Sequence, residues 1–160
     1  MQTAGLATDA TPHSEPMLLY LVKQVELVVR SRLDSLLRPD GLTALQYTAL
    51  TVLERHSDLS TAQLARNSFV TNQSMADMIT TLEGRGLIER HRDQADRRRL
   101  VVALTPAGRD LLDRYRTPVA DLEKQMLTGL PVDDVAVLRR SLHACHANLA
   151  GTPSPVRPHR

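Results

Sequence analysis

The stretch that decides the fold of this chain is TNQSMADMITTLEGRGLIERHRDQADRRRLVVALT, residues Thr71–Thr105. In its first part, Met75, Ile79 and Leu82 recur at the spacing of one buried helical stripe. Thr71 is placed to cap the start of this helix, and Gly86 is placed to end it. The opposite face carries Gln73, Ser74, Asp77, Thr80 and Thr81. Such a small, hydrogen-bonding face suits a helix that lies against base edges in the major groove of DNA.

The second part of the stretch predicts an arginine-rich β-hairpin. The apolar run Leu100–Leu104 can pair back on Leu87–Arg92, with Asp93–Arg97 as the loop. Between residues 85 and 99 there are six arginines and three acids. A cationic hairpin beside a groove-facing helix can reach phosphates or the adjacent minor groove. Asp96 would repel phosphates, so we expect it to act within the protein, holding the Arg98 guanidinium by a charge-assisted hydrogen bond.

Several motifs along the chain resemble the MarR family of bacterial winged helix-turn-helix regulators. They are, in order, LTALQ (42–46), LSTAQLA (59–65), LEGRGLIER (82–90), DRR (96–98) and LTPAG (104–108). In this order and spacing the set is specific, and the resemblance covers about residues 17–150. It implies a mainly α fold with a small β-hairpin wing, in which the winged helix-turn-helix is flanked by N- and C-terminal dimerisation helices. It also assigns Asp96 and Arg98 to a wing whose arginine enters the minor groove.

The rest of the chain divides around this lobe. We expect a flexible arm at 1–16, dimerisation helices at 17–38 and 106–150, the DNA-binding lobe at 42–105 and a disordered tail at 151–160. Capping boxes are expected at Thr43 with Gln46 and at Ser60 with Gln63. In the turn between the two short helices, Phe69 and Val70 are expected to plug the core. In the first C-terminal helix, after its start at Thr105-Pro106, Pro118 predicts a kink or a break near Tyr115.

Composition limits the classes of protein to which the chain can belong. Its 160 residues suffice for one well-buried domain, and its net charge of +2 means that any DNA binding rests on local clustering. One Phe, three Tyr and no Trp leave little material for stacking on single-stranded bases. The single Cys excludes an intrachain disulfide and fits a reducing compartment. The most apolar stretch is interrupted by Lys23, Gln24 and Glu26, so we expect no membrane segment and a cytoplasmic location.

Three further sets of side chains have alternative interpretations. Cys145 is a candidate redox sensor, although its place on an apolar helical stripe favours a buried small hydrophobe. His143 and His146 are close enough on a helix to share a metal, but no carboxylate or second cluster stands nearby, so we predict none. Relatives bind small aromatic or phenolic acids between the dimer helices and the DNA-binding lobe. The matching candidate pocket residues here are Tyr20, Gln24, Arg30 and Tyr47.

The sequence therefore predicts a homodimeric, ligand-responsive repressor that binds a pseudo-palindromic DNA operator. The predicted DNA contacts are Asn72, Gln73, Ser74, Asp77, Thr81, Arg92, Arg97 and Arg98, with Asp96 supporting the wing. No cofactor is predicted. One alternative is a winged-helix module that binds protein, which the small net charge allows. The other is an enzyme, for which no triad, phosphate loop or carboxylate pair is evident in the sequence.

Overall fold

The structure, a computed structural model, describes residues 15–150. The expected tail and all but the last two residues of the expected arm lie outside the described residues. The described elements are α1 (Leu18–Leu37), α2 (Ala44–Arg55), α3 (Thr61–Asn67), α4 (Asn72–Gly84), β1 (Ile88–Arg92), β2 (Leu100–Leu104), α5 (Pro106–Met126) and α6 (Val132–Ala150). A short 3-10 turn, Arg38–Asp40, follows α1. The predicted fold class, mainly α with a small hairpin, is confirmed.

The chain forms two compact units, the first ending at Leu112 and the second beginning at Asp113. Helix α5 contributes residues to both units. Among residues 15–150, none of the helices combines the length and the apolar character needed to cross a membrane.

Local sequence signals place the helix starts. The Thr43 hydroxyl accepts a hydrogen bond from the Gln46 amide at 3.2 Å, and the Gln46 side chain accepts one from the Thr43 amide at 3.1 Å. Ser60 and Gln63 repeat this reciprocal pair at the start of α3. Both predicted capping boxes are therefore confirmed, and each satisfies backbone donors that would otherwise lack a partner.

The core of the first unit joins the helices to the hairpin. Its largest fully buried apolar side chains are Leu37, Leu50, Leu64, Met75, Ile79, Leu82, Ile88, Val101 and Val102. Strands β1 and β2 are antiparallel, with Ile88 opposite Leu104 and Arg92 opposite Leu100. The Val102 amide also donates to the Leu59 carbonyl at 2.8 Å. The loop before α3 thus forms an isolated antiparallel β-bridge with β2. The hairpin is thus built into the helical lobe through backbone pairing.

At Gly108 the first turn of α5 passes close to Leu87, the residue before β1. A Cβ at this position would lie well inside van der Waals contact with the Leu87 carbonyl oxygen and 3.1 Å from the Leu104 side chain. We expect Gly108→Ala to lower the free energy of unfolding by about 2 kcal/mol, because backbone atoms must shift. Gly84→Ala is the control, since a Cβ there meets nothing within 4 Å. Equal stabilities of the two variants in chemical denaturation would contradict this packing.

Of the two expectations for the C-terminal helices, the one for Pro118 is narrowed to a kink and the one for Cys145 was wrong. Helix α5 runs from Pro106 through Pro118 to Met126 without a break, so of the two expected effects of Pro118 only a kink stays a prediction. Proline removes a single backbone hydrogen bond, and the turns on either side can continue. In α6 none of the side chains is buried, and Cys145 is exposed rather than packed in a core. The apolar stripe of α6 is present, but no part of residues 15–150 buries it.

Candidate nucleic-acid interface

Helix α4 separates its two faces cleanly. Met75, Ile79 and Leu82 are buried, whereas the predicted contact residues Asn72, Gln73, Ser74, Asp77 and Thr81 are all exposed. The Thr71 hydroxyl accepts from the Ser74 amide at 3.1 Å and so caps the helix start. At the other end the Leu87 amide donates to the Leu82 carbonyl at 3.0 Å, and Gly86 adopts φ 69°. Both predicted helix ends are confirmed, and they leave the polar face on a rigid element.

Hydrogen bonds along α4 orient the polar face. The Gln73 side-chain amide donates to the Asp77 carboxylate at 3.2 Å, one turn along the helix. The Thr81 hydroxyl donates to the Asp77 backbone carbonyl at 3.1 Å. Asp77 has no cationic partner among residues 15–150. If α4 lies in a major groove, we expect Asp77 to face a cytosine amino group or to act through water.

Backbone hydrogen bonds close the tip of the hairpin, which spans residues 93–99 rather than ending at Arg97. The Asp93 amide donates to the Arg99 carbonyl at 2.9 Å, and the Arg99 amide donates to the Asp96 carbonyl at 2.9 Å. The Asp96 carboxylate accepts from the Arg98 backbone amide at 3.0 Å, not from the Arg98 guanidinium. The expected charge-assisted bond was therefore wrong, because a carboxylate two residues before an amide closes an Asx turn instead.

The arginines around the hairpin fall into two groups. Four of them are used within the protein: Arg90 binds the Glu83 carboxylate, Arg85 the carbonyls of residues 40 and 41, Arg92 the Arg98 carbonyl, and Arg99 both Gln63 and Asp93. Arg97 and Arg98 are exposed, and within residues 15–150 their guanidinium groups have no hydrogen-bond or ion-pair partner. Of the two acids at the tip, Asp93 pairs with Arg99 at 3.8 Å, and the Asp96 carboxylate accepts from the Arg98 backbone amide. The tip therefore presents two unpaired cations to solvent.

Long-range contacts that sequence reasoning missed fix the hairpin to the helices. The His91 ring lies 2.9 Å from the Asp58 carboxylate, and Asp58 itself adopts φ 61°. Arg99 donates to the side chain of Gln63, which also closes the cap of α3. These pairs join residues more than 30 positions apart, so no short-range pattern in the sequence reports them. They hold the cationic tip in a set place relative to α3.

The other predicted side chains are dispersed. Tyr20, Gln24 and Arg30 are exposed on α1, whereas Tyr47 is buried in the core of the first unit. The effector pocket stays a prediction. His143 and His146 are exposed on α6, and within the described residues no cluster of three or more His, Cys, Asp or Glu is suited to hold a metal ion.

Replacing Asp96 tests whether this residue orders the hairpin tip or only repels DNA, because the two roles predict opposite changes in DNA affinity. Removing an acid beside the arginines should by itself strengthen DNA binding. We instead expect Asp96→Ala to weaken it by about 1 kcal/mol, because the Arg98 amide loses its acceptor and the turn loosens. Asp96→Asn keeps an acceptor oxygen and should bind at least as tightly as the unchanged protein. Tighter binding by the alanine variant in fluorescence anisotropy would show that Asp96 does not order the tip.

Comparison with known proteins identifies the family of this chain. The MarR family model matches residues 42–100, which include α2, α3, α4 and most of the hairpin. The HTH-type transcriptional repressor Rv2887 of Mycobacterium tuberculosis is 33% identical over 138 residues, which cover 86% of this chain and 95% of that protein. The chain belongs to the MarR family. The resemblance seen in the sequence is thereby confirmed, and the hairpin can be called the family's wing.

Solved structures of other MarR family regulators share the architecture. The transcriptional repressor CouR bound to a 23-mer DNA duplex is 30% identical, with a TM-score of 0.69 over 82% of this chain and 92% of its own. CouR from Rhodococcus jostii RHA1 bound to p-coumaroyl-CoA is 25% identical, with a TM-score of 0.74 over 88% and 95%. A MarR family regulator from Silicibacter pomeroyi has a TM-score of 0.80, covering 87% of this chain and 97% of its own. At 21% identity, this similarity supports the fold alone.

Proposed function

We propose that this MarR family regulator is a homodimeric, ligand-responsive repressor that binds a pseudo-palindromic operator in double-stranded DNA. One observation carries the proposal. A single lobe exposes the polar face of α4 together with the guanidinium groups of Arg97 and Arg98, which have no partner in the described part of the chain. These are the two kinds of surface that read base edges and grip the DNA backbone.

The two surfaces have different roles on the duplex. Helix α4 enters the major groove, where Gln73, Ser74 and Asp77 meet base edges near its N-terminal half. Asn72 lies at the first position of the helix, where side chains and backbone amides meet phosphates. The wing then places Arg97 and Arg98 at the backbone or in the adjacent minor groove. Arg92 braces the wing through the Arg98 carbonyl at 3.3 Å and adds positive charge to the same side.

Exposed apolar surface supports a dimer. The first helix has one buried residue, Leu37. Its exposed apolar side chains are Leu18, Leu19, Tyr20, Leu21, Val22, Val25, Leu27 and Val28. A contiguous apolar surface of this kind on a polar protein marks an interaction site. The charges among them are partly paired, since Lys23 donates to Glu26 at 2.7 Å and this hydrogen bond lowers the pKa of the Glu26 carboxyl.

Two-fold symmetry then sets the form of the operator. A dimer presents two copies of α4, so the half-sites should be inverted and about one helical turn, roughly 10 base pairs, apart. An effector that favours a different separation of the two lobes would release the DNA. We propose a small aromatic or phenolic acid, or a derivative of one, as its class. The support is the CouR relative, whose structure holds p-coumaroyl-CoA. The proposed location is the cytoplasm, and no catalytic role is proposed.

A mobility-shift assay with the upstream region of the protein's own gene tests this function, alongside light scattering to measure the mass in solution. We expect a discrete complex and twice the mass of one 17.8 kDa chain. Binding of the wild-type protein to no duplex at all would favour the protein-binding winged module. A monomer that shifts DNA would leave the DNA-binding role intact and contradict the dimer.

A further inference from the structure

The backbone at the end of α3 places a large aromatic residue where glycine is favoured. The Phe69 amide donates to the Arg66 carbonyl at 3.3 Å, and the Val70 amide donates to the Ala65 carbonyl at 3.1 Å. These two bonds form a Schellman motif, in which the residue after the helix cap takes a left-handed conformation. That residue is Phe69, with φ 59°.

The same motif ends α4, and there the chain uses glycine. Gly86 has φ 69°, and the amides of Gly86 and Leu87 donate to Glu83 and Leu82. A side chain in this conformation is disfavoured, because its Cβ crowds the backbone. Phe69 was expected to plug the core, but 73% of its surface is exposed, so that expectation was wrong. The apolar contact that frequently accompanies this motif joins the positions on either side of the left-handed residue, which here are Val70 and Ala65.

Phe69 therefore combines a left-handed backbone with an aromatic ring that is 73% exposed. Non-glycine residues with such backbones concentrate at functional sites, where a binding role compensates for the strain. The position of Phe69 identifies the role. It lies two residues before the Thr71 cap of α4, in the turn of the helix-turn-helix. When α4 enters the major groove, this turn reaches the rim of the groove, where the preceding helix crosses the DNA backbone.

We propose that Phe69 is a DNA-contacting residue that packs its ring against an apolar surface at the rim of the major groove, either a thymine 5-methyl group or a deoxyribose face. The inference rests on the proposed DNA-binding function. Aromatic side chains make apolar contact with thymine methyl groups in known complexes. Arg66, one turn earlier, is exposed on the same segment and adds the positive charge that a phosphate-lined rim attracts.

Phe69→Gly tests the proposal, because it separates stability from binding. Glycine relieves the left-handed backbone at φ 59°, so the midpoint of thermal unfolding should rise by about 2–5 °C. Operator affinity in fluorescence anisotropy should nevertheless fall about tenfold, with the same salt dependence as the wild-type protein, since an apolar contact releases no counterions. Arg66→Ala is the matched control, and it should lower the salt dependence instead.

Replacing thymines of the operator with deoxyuridine, which lacks the 5-methyl group, distinguishes contact with a thymine methyl group from contact with a deoxyribose. If the wild-type protein loses affinity on a substituted duplex and Phe69→Gly does not, the ring meets a methyl group. If Phe69→Gly is weakened equally on both duplexes, the ring meets the sugar. A Phe69→Gly variant that binds as tightly as the wild-type protein would overturn this inference alone. A wild-type protein that binds no duplex would overturn the proposed function and this inference with it.

Discussion

Arg98→Ala is expected to weaken operator binding by about 1–3 kcal/mol per half-site and to lower the salt slope by about one unit per half-site. The guanidinium of Arg98 is exposed and has no partner among residues 15–150, so its charge is available to the DNA. The variant should fold normally. The bond from Arg98 to Asp96 uses the backbone amide, which alanine keeps. A salt titration followed by fluorescence anisotropy measures both effects.

Arg90→Ala is the matched control for Arg98→Ala. It removes the same charge from the same hairpin, but the Arg90 guanidinium is already neutralised by Glu83, at 2.8 and 3.0 Å. Its salt slope should therefore change much less. Arg98→Lys should keep the slope while losing part of the affinity, since lysine keeps the charge but not the planar fork. Equal slopes for Arg98→Ala and Arg90→Ala would remove Arg98 from the DNA contact.

Placing glutamates on the exposed face of α1, in the variant Val22→Glu/Val25→Glu, is expected to abolish the dimer and to reduce operator affinity about 100-fold or more. Val22 and Val25 are 55% and 52% exposed, one turn apart on one stripe, so the change should leave the core of a single chain intact. A monomer holds one half-site and loses the high effective concentration that links the two. Light scattering and anisotropy measure the two outcomes together.

The control for the α1 variant adds the same negative charge outside the apolar stripe. Ser31→Glu/Ser35→Glu changes two exposed polar residues of the same helix, both C-terminal to the exposed apolar residues 18–28. This variant should stay dimeric and keep most of its affinity, because it buries no charge in an apolar interface. If both double variants remain dimeric, then α1 does not form the dimer face, and the exposed leucines and valines require another partner.

Short-range chemistry made most of the fold predictable from the sequence. The starts of α2, α3 and α4 carried side-chain caps, such as Thr43 with Gln46, and the Gly86 indicated by the pattern closes the end of α4. The buried stripe of α4 followed from residue spacing, as did the pairing of β1 with β2. These signals span at most a few residues, or one hairpin, and therefore survive in a single sequence without knowledge of the tertiary fold.

The parts that sequence reasoning missed depend on long-range or conformational facts. The contact of Arg99 with Gln63 and the pairing of Leu59 with Val102 join distant segments, and nothing local reports them. Phe69 was expected in the core because phenylalanine is apolar, but it lies in a left-handed turn and is 73% exposed. Cys145 looked buried because its stripe is apolar, yet a stripe does not say whether its own chain or a second copy covers it.

Selection of bound duplexes from a random DNA pool tests the central claim most directly. Two lobes that each insert α4 and hold the duplex with a wing should enrich an inverted repeat, with half-site centres about 10 base pairs apart. The repeat should be lost when the pool is selected with the glutamate variant of α1. Enrichment of a single asymmetric site, or of no sequence above the starting pool, would contradict the account.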